Sequence, residues 1–277
     1  MHHEEDTFRT HDGLTLYTQT WQPADAPVAR IAVIHGLGEH SGRYADFAGW
    51  FVPRGFAIHA FDHRGHGQSP GQQGHINAWA EFRDDVQQFL DHVPDDAPRF
   101  LLGHSMGGLI VLDYGLHRPT AHLRGVIASA PGLAPGGGVS AASIAAAKVL
   151  ARVAPKLKMS NGLDVQGLSR DPEVVRAYQA DPLVHGYATP RFASEFFATG
   201  REALHRAAQW PAETPLLLMH GAADPICQPE TTQRFFTDAG ATDKTHIPYP
   251  DYLHEIFNEI GREQVWADLD AWLIAHM

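Results

Sequence analysis

The sequence predicts an α/β fold, a mostly parallel central sheet flanked by helices, with a helical cap-like insertion after the sixth strand. Three observations carry that prediction. Short apolar runs alternate with longer amphipathic segments, which is the pattern of strand–helix–strand units. Ahead of them, TFRTHDGLTLYTQTWQP holds two alternating segments around Asp12-Gly13, a hairpin signal that places an antiparallel edge on the sheet. From Gly132 to about Trp210 the strand signals stop and an alanine-rich stretch begins.

After the hairpin, RIAVIHG (30–36) and FAIHAFD (56–62) read as buried strands, with RYADFAGWFVPRG as the helix between them. INAWAEFRDDVQQFLDHV is the next helix. RFLLGHS (99–105) is a strand that runs straight into the helical MGGLIVLDYGLHRP. GVIASAP (125–131) is the sixth strand. The excursion opens with LAPGGGVS, a flexible loop, and continues as the helical AASIAAAKVLARVAPKL. PLLLMHG (215–221) and KTHIPYP (244–250) resume the sheet, and REQVWADLDAWLIAHM closes the chain as a helix. The division is therefore core at 1–131, cap at 132–210 and core again at 211–277, within one structural domain.

The bulk numbers narrow the function. The chain has 277 residues, enough for one large α/β domain with an inserted subdomain. Its net charge is −11, so it gains nothing from counterion release and nucleic acid is excluded as an expected partner. Docking to anionic lipid by charge is disfavoured as well, so any contact with a membrane or micelle has to be apolar. The polar start MHHEEDTFRTHDG is not a signal peptide, and no apolar run reaches the roughly 18 residues of a membrane span. A cytoplasmic protein, at most peripheral at membranes, is the expectation. The single cysteine, Cys227, rules out an internal disulfide and reads as inert packing. Nineteen histidines are scattered without HExxH or Cys/His spacing, so no metal and no cofactor is expected.

Two stretches fit Gly-x-Ser-x-Gly, the pattern around the nucleophile of serine hydrolases: GQSPG at Gly67–Gly71 and GHSMG at Gly103–Gly107. Chemistry requires a strand before the serine and a helix after it. It also requires an N–H on the following residue to bind an oxyanion. GHSMG meets each condition, and Ser105 falls at a helix N-terminus, where negative charge is favoured. GQSPG fails because Pro70 has no N–H and no helical pattern follows. Ser69 therefore reads as a loop serine.

A serine nucleophile needs a base, and the base an orienting acid, in the order Ser, Asp or Glu, His. Asp224 lies in the turn just beyond PLLLMHG. Asp238 and Asp243 are less well placed. Of the three later histidines, His246 falls inside a strand and His276 at the chain end. His254 sits in a loop between rigid elements and is the expected base. HGLGEH follows the strand RIAVI, which makes Leu37 one oxyanion donor and Met106 the other, with His35 holding the loop.

HGLGEHSGRY, FDHRGHGQSPG, LLGHSMGG, GAADPIC and HEIFNE together resemble the monoacylglycerol lipases of the α/β-hydrolase superfamily, from about Arg9 to the end, and LSRDPEVVRAYQADPLVHG resembles their cap segment. The same signatures occur in bacterial lysophospholipases and carboxylesterases. The resemblance implies an eight-stranded hydrolase sheet with a cap over the site, a lipid ester as substrate and the triad Ser105, Asp224 and His254. Tyr178, Phe192, Phe196 and Phe197 are candidates to line an acyl pocket, with core packing an equal alternative. AASIAAAKVLARVAPKL is a candidate for apolar contact with lipid, with packing on its own domain equally plausible. The expected activity is cleavage of monoacylglycerol to glycerol and fatty acid. Lysophospholipase or short- to medium-chain carboxylesterase action is the alternative. A ligand-binding protein on a hydrolase scaffold is the non-enzymatic one. The oligomeric state stays open.

Overall fold

The computed structural model describes residues 1–137 and 141–277. The last three residues of the expected loop LAPGGGVS, Gly138 to Ser140, lie outside the described residues. Strands β1 (His2–Arg9) and β2 (Thr15–Gln22) form the expected hairpin. They are followed by β3 (Ala29–Ile34), helix α1 (Ala45–Phe51), β4 (Phe56–Phe61), α2 (Ala80–His92), β5 (Arg99–His104), α3 (Met106–His117) and β6 (Gly125–Ser129). Pro53 restricts α1 to two turns and leaves a 3₁₀ turn at Val52–Arg54.

Between β6 and the next sheet strand come α4 (Ala141–Val153), β7 (Met159–Ser160), α5 (Pro172–Ala180), β8 (Tyr187–Ala188) and α6 (Pro190–Arg206). β7 and β8, which pair antiparallel, carry no strand signal in the sequence; at two residues each they are too short to show a period. β9 (Leu216–Gly221), α7 (Pro229–Asp238), β10 (Lys244–Tyr249) and α8 (Arg262–Ala275) complete the chain. Pro229 in the first turn of α7 marks its start, and Asp238 closes it.

Eight strands form the sheet, in the order β1-β2-β4-β3-β5-β6-β9-β10. β1, β2 and β4 pair antiparallel and every later pairing is parallel. Strands buried on both faces need apolar residues of both parities, and β3 provides them. Ile31 and Val33 pack into one core with Phe47, Phe51, Leu269 and Trp272; Ala32 and Ile34 pack into the other with Phe82, Leu109 and Trp210. Helices α1 and α8 thus cover one face, while α2, α3 and α7 cover the other. Phe192 and Ala203 anchor α6 to that second core. The edge strand β10 tolerates Pro248 because it pairs only with β9. Parallel strands point their C-terminal ends to one side, and loops gathered there form the site.

Candidate active site

β5 ends at His104 and α3 begins at Met106, so Ser105 alone turns the chain. It does so at φ 55° and ψ −115°, a conformation that costs a non-glycine residue about 1–3 kcal/mol. Crowding explains the glycines on either side. A Cβ on Gly103 would stand 2.2 Å from the Gly107 carbonyl oxygen, and one on Gly107 would stand 1.9 Å from that of Ile34. The strained turn is held from β6: the Ser105 N–H donates to the Ser129 carbonyl and the Gly132 N–H donates to the Ser105 carbonyl, both at 2.9 Å.

Two later loops meet this serine. The His254 loop, between β10 and α8, is pinned by its own backbone: the His254 and Glu255 N–H groups donate to the carbonyls of Gly167 and Leu168. The Asp224 loop follows β9, and its Oδ1 accepts the N–H groups of Ile226 at 2.7 Å and Cys227 at 3.1 Å. Asp224 Oδ2 lies 2.7 Å from His254 Nδ1, and His254 Nε2 lies 2.8 Å from Ser105 Oγ. A carboxylate only accepts, so Nδ1 carries the ring proton and Nε2 is free to accept from the Ser105 hydroxyl. Burial pushes His254 down, but the charge and hydrogen bond of Asp224 outweigh it and hold the imidazole above its ordinary value. Burial likewise pushes Asp224 up, yet His254 and His220, whose Nε2 lies 2.9 Å from the same Oδ2, keep it well below the carboxylate range.

The loop after β3 completes the arrangement. A Cβ on Gly36 would lie 3.2 Å from that of Ser105, so only glycine lets the loop come this close. Leu37 and Met106 both line the cavity beside Ser105. His35 holds the loop as expected: its Nε2 accepts the His63 N–H at 3.0 Å. Gly38, at φ +82, meets the stretch after α5, where the His185 N–H donates to its carbonyl. The cavity measures about 380 Å³. Tyr178, Phe192, Phe196 and Phe197 all line it, along with Leu163, Leu168 and Ile226. Packing and lining coincide at Phe192, whose ring lies 6.4 Å from that of Trp79 and 5.7 Å from that of Phe196.

Residues 25–261 match the family described as serine aminopeptidase, S33. The chain belongs to that family. The monoacylglycerol lipase of Mycolicibacterium smegmatis is 37% identical over 99% of this chain and 98% of its own length. Phospholipase YtpA of Bacillus subtilis is 32% identical over 89% of this chain and 95% of its own. Among solved structures, the monoacylglycerol lipase of Paleococcus ferrophilus superposes with a TM-score of 0.85 at 34% identity, covering all of both chains. The central sheet, its flanking helices and the likeness to these relatives agree with an α/β hydrolase.

The rival residues lie elsewhere in this S33 family member. The Ser69 hydroxyl donates to the Asp62 carbonyl at 2.6 Å and accepts the Tyr17 N–H at 2.9 Å, which ties the GQSPG loop to β2. His246 faces Gln233, and His276 faces Asp243 and the Trp272 carbonyl. Among the described residues, one group has donor atoms close enough to hold a metal ion: Asp224, Cys227 and His254. Its carboxylate and imidazole are already engaged with each other. Burial pushes the Cys227 thiol well above its ordinary value, which withholds the thiolate that a metal prefers.

Sequence reasoning missed three features. Arg43 forms ion pairs with Glu39 and Glu255, its guanidinium lying 4.8 Å over the ring of Tyr178, and both carboxylates line the cavity. The His104 ring packs at a tilt, 4.9 Å from the His254 ring; burial and the neighbouring imidazole lower it to about 4, so it stays neutral beside the candidate base. His220 shares the acid. Only the motifs HGLGEHSGRY and HEIFNE hinted at the first, and nothing in the sequence distinguished the other two histidines from core ones.

Proposed function

We propose that this chain hydrolyses monoacylglycerols to glycerol and fatty acid through an acyl-enzyme on Ser105. The unbroken hydrogen-bond path from Ser105 through His254 to Asp224, at the floor of a largely apolar cavity, carries this reading. Ser105 attacks the acyl carbonyl while His254 takes its proton, and Asp224 holds the imidazole and stabilises its charged form. The N–H groups of Leu37 and Met106 bind the oxyanion. His254 then protonates the leaving glycerol oxygen and activates the water that releases the fatty acid. Tyr178, Phe192, Phe196 and Phe197 receive the acyl chain, and residues 132–210 act as the cap.

Two buried carboxylates on the cavity wall, Glu39 and Glu255, favour a neutral glycerol head group over a phosphodiester. This ranks the monoacylglycerol reading above the lysophospholipase one, to which the likeness to a phospholipase of Bacillus subtilis lends support.

The test is turnover of 1-monoacylglycerol, lysophosphatidylcholine and p-nitrophenyl esters by wild type and Ser105→Ala. Loss of the nucleophile removes about six decades of kcat in enzymes of this design. A Ser105→Ala protein with wild-type turnover would sink the reading. Faster turnover of lysophosphatidylcholine than of monoacylglycerol would reverse the ranking of substrates.

A further inference from the structure

The Asp224 carboxylate is shared. Its Oδ2 takes His254 Nδ1 at 2.7 Å and also His220 Nε2 at 2.9 Å. His220 sits near the end of β9, four residues before the acid, with its side chain 1% exposed. Its other nitrogen, Nδ1, lies 2.7 Å from the hydroxyl of Thr232 on α7, itself fully buried. The tautomer follows from the partners. Oδ2 can only accept, so Nε2 carries the proton, and Nδ1 accepts from the Thr232 hydroxyl. The result is a line of five side chains, from Thr232 through His220, Asp224 and His254 to Ser105.

We propose that His220 is a positioning residue of the acid arm: it donates a second imidazole N–H to Asp224, fixes the carboxylate's angle and limits how strongly that carboxylate draws the proton of His254. The proposal rests on the reading of Ser105, His254 and Asp224 as a catalytic unit. The physics is direct. A carboxylate oxygen that accepts two N–H bonds divides its charge between them. With the second donor removed, more of the charge bears on the His254 imidazolium, and the base surrenders its proton only at higher pH. The carboxylate is also freer to rotate, which loosens the ring it aligns. The titratable groups that bear on His220 are Asp224 and, beyond it, His254 from the two loops, and His246 from the neighbouring strand β10. Burial, with the neighbouring His220 adding to it, holds His246 below its ordinary value, so it is neutral and does not compete for the carboxylate.

The experiment uses three substitutions. In His220→Gln the amide nitrogen falls where Nε2 stood and still reaches Asp224. In His220→Asn it falls where Nδ1 stood and faces Thr232 instead. His220→Leu keeps the bulk and removes both nitrogens. The pH dependence of kcat/KM is measured for each on one soluble ester, with melting temperature recorded alongside. In Leu and Asn, kcat falls about tenfold or more, as expected for one hydrogen bond to a charged group, while KM changes little. The acid limb moves up by on the order of one pH unit. Gln restores both. If Leu and Asn match wild type, or if Gln behaves like Leu, His220 is packing and the proposal is overturned. Ser105→Ala runs alongside: an active Ser105→Ala protein sinks the catalytic reading itself, whereas a dead one beside a flat His220 series sinks only this inference.

Discussion

Glu255 accepts two hydrogen bonds from the guanidinium of Arg43, each 2.7 Å long, across 212 residues of chain. The pair joins the HGLGEHSGRY loop to the residue that follows the candidate base. Burial pushes Glu255 up, but the charge and hydrogen bonds of Arg43 outweigh it and hold the carboxyl at about 2. Arg43→Met leaves Glu39 and Glu255 buried without their cation. Breaking such a pair costs about 3–5 kcal/mol, so the variant is expected to melt well below wild type. Its kcat should fall as well, because the backbone beside His254 loses its anchor. Thermal unfolding and steady-state kinetics check both; unchanged melting would show that the pair is not a structural clamp.

The base sets a pH limit. In the proposed mechanism His254 acts as a base only when unprotonated, and Asp224 raises its pKa above the ordinary 6.5. The value of kcat/KM should therefore fall tenfold per pH unit on the acid side, with its midpoint above 6.5 rather than at it. A profile level from pH 5 to 8 would contradict a histidine base.

The two Gly-x-Ser-x-Gly serines should separate cleanly. Ser69→Ala loses the two hydrogen bonds that tie its loop to Tyr17 of β2 and to Asp62 just after β4, worth about 1–2 kcal/mol together. Its melting temperature should drop by a few degrees while turnover stays within about twofold of wild type. A Ser69→Ala protein as inactive as Ser105→Ala would mean that the loop serves the chemistry.

Val149, Val153, Leu157 and Met159 are exposed by 59%, 73%, 50% and 43%, an apolar strip on and just after α4. Wild type is expected to sediment with phosphatidylcholine vesicles, and Val149→Ser/Val153→Ser to remain in the supernatant with turnover of a soluble p-nitrophenyl ester unchanged. Because phosphatidylcholine carries no net charge and the exposed side chains are apolar, binding should be insensitive to salt. Salt-sensitive binding would point to charge instead.

Much of this molecule could be read from the chain alone because its signals are local. RIAVI, FAIHAF and RFLLGH are apolar at both parities, as strands covered on two faces must be. Pro70 disqualified one serine by chemistry needing no coordinates. That Ser105, Asp224 and His254 would meet was legible because their order along the chain follows the strand order. What stayed hidden depends on contacts between distant segments. His220 looks like any buried histidine until Asp224 and Thr232 are seen on either side of it. The partnership of Arg43 with Glu255 cannot be inferred from either neighbourhood. β7 and β8 exist only because two remote dipeptides meet.

Strands β6 and β9 are bonded neighbours from Val126–Leu216 to Ser129–Met219, although the whole of 132–210 lies between them in the chain. The ladder is thus blind to what is inserted. The stretch can vary in length and helix content without shifting a single rung. The stretch is tied to the rest of the chain at several points: Phe192 and Ala203 of α6 and Trp210 are rooted in the core, and the Gly167 and Leu168 carbonyls hold the His254 loop. Diversification within such a scaffold is expected to be modular, with the reaction inherited and its clientele renegotiated.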